Sequence, residues 1–150
     1  MFSTQVLLSN QKIPLSLQQI SPLKNQDRFI LPFGFWFVVT TVLLVLPVSP
    51  DEEESWITRI PLFDKWIHAG LFMILSILLC WGIYKIRGRS PKLRTYFIRI
   101  AWGCLIYGIV MEFVQKYFIP ERSFDLGDIV ADGAGALLGS YISIRRFIKK

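Results

Sequence analysis

The sequence predicts an all-α membrane protein, a four-transmembrane-helix bundle with both termini in the cytoplasm. Three observations lead to this fold class. Of the 150 residues, 53% are hydrophobic and only 19% are charged, whereas soluble domains carry about 25% charged residues. The charges are clustered and leave four long apolar stretches, and most Lys and Arg residues lie in every second connection between them. This composition excludes intrinsic disorder, a secreted disulfide scaffold and a coiled coil.

The four apolar stretches are interpreted as membrane spans, because a helix needs about 20 mostly apolar residues to cross the hydrocarbon of a bilayer. The fourth span is the least hydrophobic. Its small residues Gly135 and Gly139 predict close packing on a neighbouring helix. The predicted spans cover residues 30–48, 66–84, 97–118 and 126–144.

These spans divide the chain into three regions. Residues 1–28 are polar and lack the apolar segment of a signal peptide, so they are predicted to form a disordered cytoplasmic arm. Residues 29–145 form the membrane domain, and residues 146–150 form a basic cytoplasmic tail. The acidic run Asp51–Glu54, between spans one and two, is predicted to be solvated.

The distribution of Lys and Arg sets the predicted orientation, since cytoplasmic loops are enriched in these residues. The N-terminal arm, the connection between spans two and three, and the C-terminal tail together hold 13 of the 17 Lys and Arg residues. Ten of the 11 Asp and Glu residues fall on the opposite side. The net charge of +6 therefore indicates membrane topology rather than nucleic-acid binding, which needs basic residues interleaved with aromatics on a polar face.

Ionisable side chains cluster near the outer ends of the last three spans. Such groups cost about 2.5–3.5 kcal/mol each at the centre of a membrane, so they need a partner or water. Glu112 and Asp132 are therefore predicted to face the bundle interior, with Arg122 as a bidentate partner for one of them. The candidate binding residues are Asp64, Lys65, Gln115, Arg122, Asp125 and Asp132, and the candidate catalytic residues are Glu112, His68 and Asp128.

Most of these side chains also have a purely structural interpretation. Asp125 and Asp128 could cap the fourth helix and complement its dipole. Asp64 and Lys65 could anchor the second helix at the membrane interface, and a single histidine such as His68 is more often packed than catalytic. A buried carboxylate, by contrast, is not needed to hold a helix bundle together. The sequence therefore favours a functional polar pocket over a structural network.

Taken in order, these segments resemble the VanZ-like family. The pattern is Asp-Lys-x-x-His, then Glu-x-x-Gln, then Pro-x-Arg-x-x-Asp-x-x-Asp with a Gly-rich helix after it, and it covers residues 30–144. Asp132 departs from the family, whose members commonly carry Asn there. The residues that carry the resemblance are Asp64, Lys65, His68, Glu112, Gln115, Pro120, Arg122, Asp125, Asp128, Gly135 and Gly139.

The resemblance implies a small integral protein of the bacterial cytoplasmic membrane that crosses it several times. The founding member of the family is associated with low-level teicoplanin resistance. That association does not by itself make this chain a resistance determinant.

Two hypotheses for function follow. In the first, an outward-facing pocket binds or acts on a phosphate-bearing envelope lipid or cell-wall precursor. Lys65, Arg122 and the N-termini of helices two and four would hold the phosphate, and Glu112 or His68 would act as general acid or base. In the second, the polar residues form a non-catalytic interaction module or a structural interhelical network. The sequence leaves open whether the protein is an enzyme.

The excess of carboxylates in this region opposes anion binding unless the acids are paired, protonated or bridged by a cation. A divalent cation with carboxylate ligands is chemically feasible, although no ligand spacing in the sequence demonstrates one. The predicted partners are the lipid bilayer and an envelope lipid or precursor, without nucleic acid. The sequence does not determine the oligomeric state.

Overall fold

Four helices and their short connections account for the part of the chain that the computed structural model describes, residues 21–46, 62–120 and 122–148. No strand occurs among these residues, so the prediction of an all-α protein is confirmed. The helices are α1 (Ser21–Val45), α2 (Phe63–Arg87), α3 (Leu93–Phe118) and α4 (Leu126–Phe147).

Two of these helices, α2 and α3, are long and apolar enough to cross a membrane by length and composition. The apolar part of α1, Phe29–Val45, is shorter. Helix α4 falls outside this group, and its sequence carries Asp128 and Asp132 in its first two turns. The bundle of four spans and the cytoplasmic position of both termini stay predictions.

The helices extend beyond the predicted spans. Helix α1 begins at Ser21, so residues 21–28 are helical although they were predicted to belong to the disordered arm. A proline near the start, Pro22, is compatible with this because the first turn of a helix needs no partner for that backbone nitrogen. Helix α4 continues to Phe147, into the predicted basic tail. Residues 1–20 and the acidic run Asp51–Glu54 lie outside the described residues.

Helices α2 and α4 pack parallel and in very close contact. A Cβ atom added to Gly135 would overlap the backbone of Ala69, and one added to Gly139 would overlap the carbonyl oxygen of Met73. Only glycine lets two helix backbones approach this closely. The close packing predicted from these two glycines is therefore confirmed, and α2 is the neighbour.

The other two helices run antiparallel to α2. The hydroxyl of Ser140 in α4 donates to the carbonyl of Phe97 near the start of α3, and the earlier Asp132 of α4 lies against the later Gly108 of α3, so α3 runs antiparallel to α4. On α1, the ring of Phe29 lies against Gly82, and the indole of Trp36 donates to the carbonyl of Leu71 at 3.1 Å. Helix α1 therefore runs down the outside of α2.

The bundle has two chemically different ends. At one end, Tyr84 and Phe147 stack with ring centroids 4.7 Å apart, which brings the α2–α3 connection and the end of α4 together with their Lys and Arg residues. At the other end lie the starts of α2 and α4. All five acids whose side chains are described lie toward that end, which we call the acidic end; they are Asp64, Glu112, Asp125, Asp128 and Asp132.

Candidate functional site

The polar side chains predicted to form a site are brought together at the acidic end. Helix α2 supplies them from its first two turns, and α3 from its last two. The connection after α3 and the first two turns of α4 supply the rest. Parallel packing of α2 and α4 is what places the two starts side by side, because both helices enter the bundle at the same end.

Lys65 is the central cation of this cluster. Its ammonium pairs with the carboxylate of Asp125 and lies 2.9 Å from Oδ1 of Asp128 and 3.9 Å from Oδ2 of Asp64. The ammonium and the backbone N–H of Gly127 hold the pKa of the Asp125 carboxyl below its usual range. Lys65 therefore fastens the start of α4 to the start of α2.

His68 forms the second connection between α2 and α4. Its Nδ1 lies 3.0 Å from Oδ1 of Asp132, and the two side chains are 3% and 1% exposed. On the other side of the ring, Nε2 lies 4.0 Å from Oδ1 of Asp64, four residues earlier on α2. The predicted common face of Asp64 and His68 is thus present.

Glu112 and Gln115 point into the bundle from α3, as their spacing predicts. Oε2 of Glu112 accepts a hydrogen bond from the backbone N–H of Asp125 at 2.9 Å. Gln115 donates from Nε2 to the carbonyl of Leu44 at 2.8 Å, which ties α3 to the last turn of α1. Both side chains are almost fully buried, and each connects α3 to another part of the bundle in addition to any role in binding.

Apart from Oδ1 of Asp128, which pairs with Lys65, two buried carboxylate oxygens have no hydrogen-bond partner among the described residues. They are Oε1 of Glu112 and Oδ2 of Asp132, and both residues are 1% exposed. The expectation that these two acids face the interior is therefore confirmed. Among the described residues, the cluster therefore has more hydrogen-bond acceptors than donors. Burying an unpartnered carboxylate oxygen is costly.

Asp125 acts as the N-cap of α4. Its Oδ1 accepts from the backbone N–H of Gly127 at 2.6 Å, and its own backbone is extended, as is usual for an N-cap residue. The capping interpretation is therefore right for Asp125. For Asp128 the main contact is the ion pair with Lys65.

The pair predicted between Arg122 and Glu112 or Asp132 does not form. His68 is the partner of Asp132 instead, and a backbone N–H is the partner of Glu112. Arg122 lies in the connection between α3 and α4, half-buried, and within the described part of the chain its Nε finds no hydrogen-bond partner. The sequence could not separate these outcomes because several cations and acids lie within a few residues of one another.

An exposed aromatic rim surrounds the acidic end. Trp66 at the start of α2 is 69% exposed, and Tyr117 and Phe118 at the end of α3 are 68% and 80% exposed. The ammonium of Lys116 lies 5.4 Å from the ring centroid of Tyr117 and 5.9 Å from that of Phe124. Lys116 was not among the predicted binding residues, although its place between aromatic side chains in the sequence was a usable signal.

A metal ion could be held by one group of side chains at this end. Asp64, His68 and Asp128 each offer a ligand atom, and these atoms lie within 4.8 Å of one another. An imidazole nitrogen with two carboxylate oxygens is a donor set that suits divalent transition metals. Lys65, which pairs with Asp125, also lies 2.9 Å from Oδ1 of Asp128.

Comparison with known proteins identifies one matching family and one distant relative. The profile of a family described as VanZ/LLP1 matches residues 2–148. An uncharacterised protein of Schizosaccharomyces pombe is 30% identical to this chain over 107 residues, which are 71% of this chain and 62% of that protein. The match thus spans about three fifths of that relative's length. No solved structure matches the chain.

Proposed function

The chain belongs to the VanZ/LLP1 family, and on that premise we propose that it is a four-span membrane protein that binds the phosphate of an envelope lipid or cell-wall precursor. The binding surface is formed by Lys116, Arg122 and the aromatic rim at the acidic end. In this proposal the acidic end faces outward and both termini are cytoplasmic. The buried cluster of Lys65, His68 and Asp132 is the scaffold that holds this surface in place.

Family membership and the two apolar helices α2 and α3 indicate a membrane protein. The side chains on the outside of the bundle support four spans, because large apolar residues are exposed on every helix, among them Val38, Trp102 and Leu137. Polar residues such as Ser76, Ser140 and Glu112 are buried instead. Exposed apolar patches on this scale are rare in soluble monomers, and a lipid solvent accounts for them.

One observation supports the choice of a phosphate as the ligand: no carboxylate of the described residues forms an ion pair with Arg122. Lys65 is occupied by Asp125 and Asp128, whereas Arg122 makes no ion pair with any acid whose side chain is described. Arginine presents a planar fork of donors that matches a phosphate group. A half-buried guanidinium that pairs with none of the described acids is therefore suited to bind an anion arriving from the membrane surface.

The aromatic rim supports the position of this surface at the level of lipid headgroups. Tryptophan and tyrosine side chains are enriched at membrane interfaces, since their rings are amphipathic. Trp66 and Tyr117 are exposed at the ends of α2 and α3, where four spans would put the interface, and Lys116 adds a second positive charge next to Tyr117. A phosphate-bearing headgroup at this depth would meet both cations before it met the buried acids.

A second candidate function is a structural interhelical network that serves a non-catalytic interaction module. The ion pairs of Lys65 and the hydrogen bond between His68 and Asp132 favour it, because each joins α2 to α4. Under this candidate, Arg122 contributes to stability rather than to ligand binding.

Binding to purified protein in detergent micelles distinguishes the two candidates. The probe is phosphatidic acid, with a diacylglycerol of the same chains as the uncharged comparison, and bound lipid is counted by native mass spectrometry. We expect selective binding of phosphatidic acid. Arg122→Gln should weaken it roughly 10–100-fold, the equivalent of about 1.5–3 kcal/mol for a hydrogen bond to a charged group.

Arg94→Gln provides the matched control, since it removes the same charge at the basic end of α3, where the side chain is exposed. It should leave the affinity unchanged. Equal losses in the two arginine variants would contradict a specific site. If Arg122→Gln instead lowers the unfolding midpoint and does not change lipid binding, the structural network is the right interpretation.

A further inference from the structure

We infer that the acidic end contains a binding site for one divalent transition-metal ion, with Nε2 of His68 and carboxylate oxygens of Asp64 and Asp128 as its ligands. This site goes beyond the proposed binding of a phosphate and does not depend on it, because all three ligands belong to this chain. It also uses none of the residues assigned to the phosphate surface, Lys116 and Arg122.

The orientation of His68 is the first argument. An ionised carboxylate can only accept hydrogen bonds, so whenever Asp132 is ionised, His68 donates from Nδ1 in the 3.0 Å contact with Oδ1 of Asp132. In the neutral imidazole, Nε2 then carries the lone pair. A histidine that donates its other ring nitrogen to a buried carboxylate is the arrangement found around metal-binding histidines, where it fixes the tautomer and raises the basicity of the ligand.

The surroundings of Nε2 are the second argument. The His68 side chain is 3% exposed, and within the described residues Nε2 has no hydrogen-bond partner. It points toward Asp64, whose Oδ1 is 4.0 Å away. The ligand atoms of Asp64, His68 and Asp128 all lie within 4.8 Å of one another. An ion at the centre of such a triangle needs only small side-chain rotations to reach bonds of about 2.0–2.2 Å to nitrogen and oxygen.

The charge of the cluster is the third argument. Five carboxylates lie at this end, and Lys65 is the cation that pairs with them in the described residues. Lys65 approaches Asp128 through Oδ1, which leaves the other oxygen of that carboxylate for a second cation. A divalent ion would offset two of the remaining negative charges. An imidazole ligand favours Zn²⁺ or a similar transition metal over Mg²⁺, which prefers oxygen ligands and retained water.

The histidine content of the chain makes this site easy to observe. His68 is the sole histidine among the 150 residues, so the imidazole ¹⁵N signals of the full-length protein report this position alone. The experiment titrates Zn²⁺ into the purified protein in lipid nanodiscs without phosphate monoesters. Both cysteines, which are free and buried, are replaced by serine to remove thiolate binding. Bound zinc is counted by equilibrium dialysis.

We expect one Zn²⁺ per chain and a shift of the His68 Nε2 signal that saturates at one equivalent, with Mg²⁺ producing no such shift. Asp64→Asn should weaken Zn²⁺ binding roughly tenfold or more. The loss of a residue that only hydrogen-bonds to a metal ligand already weakens binding by about this factor, and the loss of a ligand should weaken it at least as much. This variant is informative because Asp64 is 53% exposed and holds no other helix in place.

Zinc bound without a shift of the His68 signal, or no binding at all, would overturn the inference. The same conclusion follows if Asp64→Asn binds Zn²⁺ as tightly as the parent protein, because Asp64 would then not be a ligand. Since the titration contains no phosphate monoester and is followed at His68, which is not part of the phosphate surface, its outcome is separate from the lipid-binding experiment with Arg122→Gln. Either proposal can fail while the other stands.

Discussion

The contact between α2 and α4 yields the sharpest prediction about this fold, and it concerns Gly135→Ala. The added Cβ would overlap the carbonyl oxygen, carbonyl carbon and Cα of Ala69. All three are backbone atoms, so no flexible side chain can move aside and the two helices must separate. Gly103→Ala is the matched control, because a Cβ at Gly103 on α3 would meet nothing within 4 Å.

The expected changes in the free energy of unfolding have opposite signs for the two variants. Alanine is favoured over glycine inside a helix by about 1 kcal/mol, so Gly103→Ala should be neutral or stabilising by up to that amount. At Gly135 the same gain is set against an overpacking cost of about 3 kcal/mol, the upper end of the usual range, because backbone meets backbone. Gly135→Ala should therefore destabilise the protein by about 2 kcal/mol.

Reversible unfolding by SDS in mixed micelles, followed by circular dichroism, measures both free energies on one scale. We expect the two variants to differ by about 3 kcal/mol, with Gly135→Ala the less stable. A second variant on the same face, Gly139→Ala, should behave like Gly135→Ala, because its Cβ would overlap the carbonyl oxygen of Met73. If Gly135→Ala proves as stable as Gly103→Ala, the parallel packing of α2 on α4 described above is wrong.

Three further predictions concern the acidic end and the orientation. The pKa of Asp125 is lower in the folded protein than in the unfolded chain, where it is about 3.9, so the ion pair with Lys65 stabilises the fold above this pH and the stabilisation is lost as the pH falls below it. The thermal midpoint should therefore decrease below about pH 4, and it should decrease less in Asp125→Asn. A cysteine replacing exposed Ser123 should react with an impermeant thiol reagent on intact cells, whereas one replacing Ser90, at the basic end, should not; the reverse pattern would refute the predicted orientation. Gln115→Leu should cost about 1–3 kcal/mol in the SDS assay, since a buried hydrogen bond to the last turn of α1 is lost; an unchanged unfolding free energy would show that this bond is replaced by water.

The sequence predicted which polar side chains lie together at the acidic end, and it did not predict which of them form pairs. The sequence places Glu112 and Asp132 in the interior because isolated charges at that depth need partners, and both are buried in the structure. It also predicts a common face for Asp64 and His68, which depends only on helix periodicity. The sequence could not predict the partner of each acid, because the choice between Arg122 and His68 depends on the rotation and axial position of one helix relative to another.

By itself, the sequence determined the helical class of this protein and the residues that collect at its acidic end, since these follow from local periodicity and from the position of each charge along the chain. Only the tertiary structure decided that α2 and α4 lie in parallel contact through Gly135 and Gly139. That contact sets the height of α4 to within a fraction of a helical turn. At that height Lys65 reaches Asp125 and Asp128, and His68 reaches Asp132, while Arg122 forms no ion pair with an acid whose side chain is described.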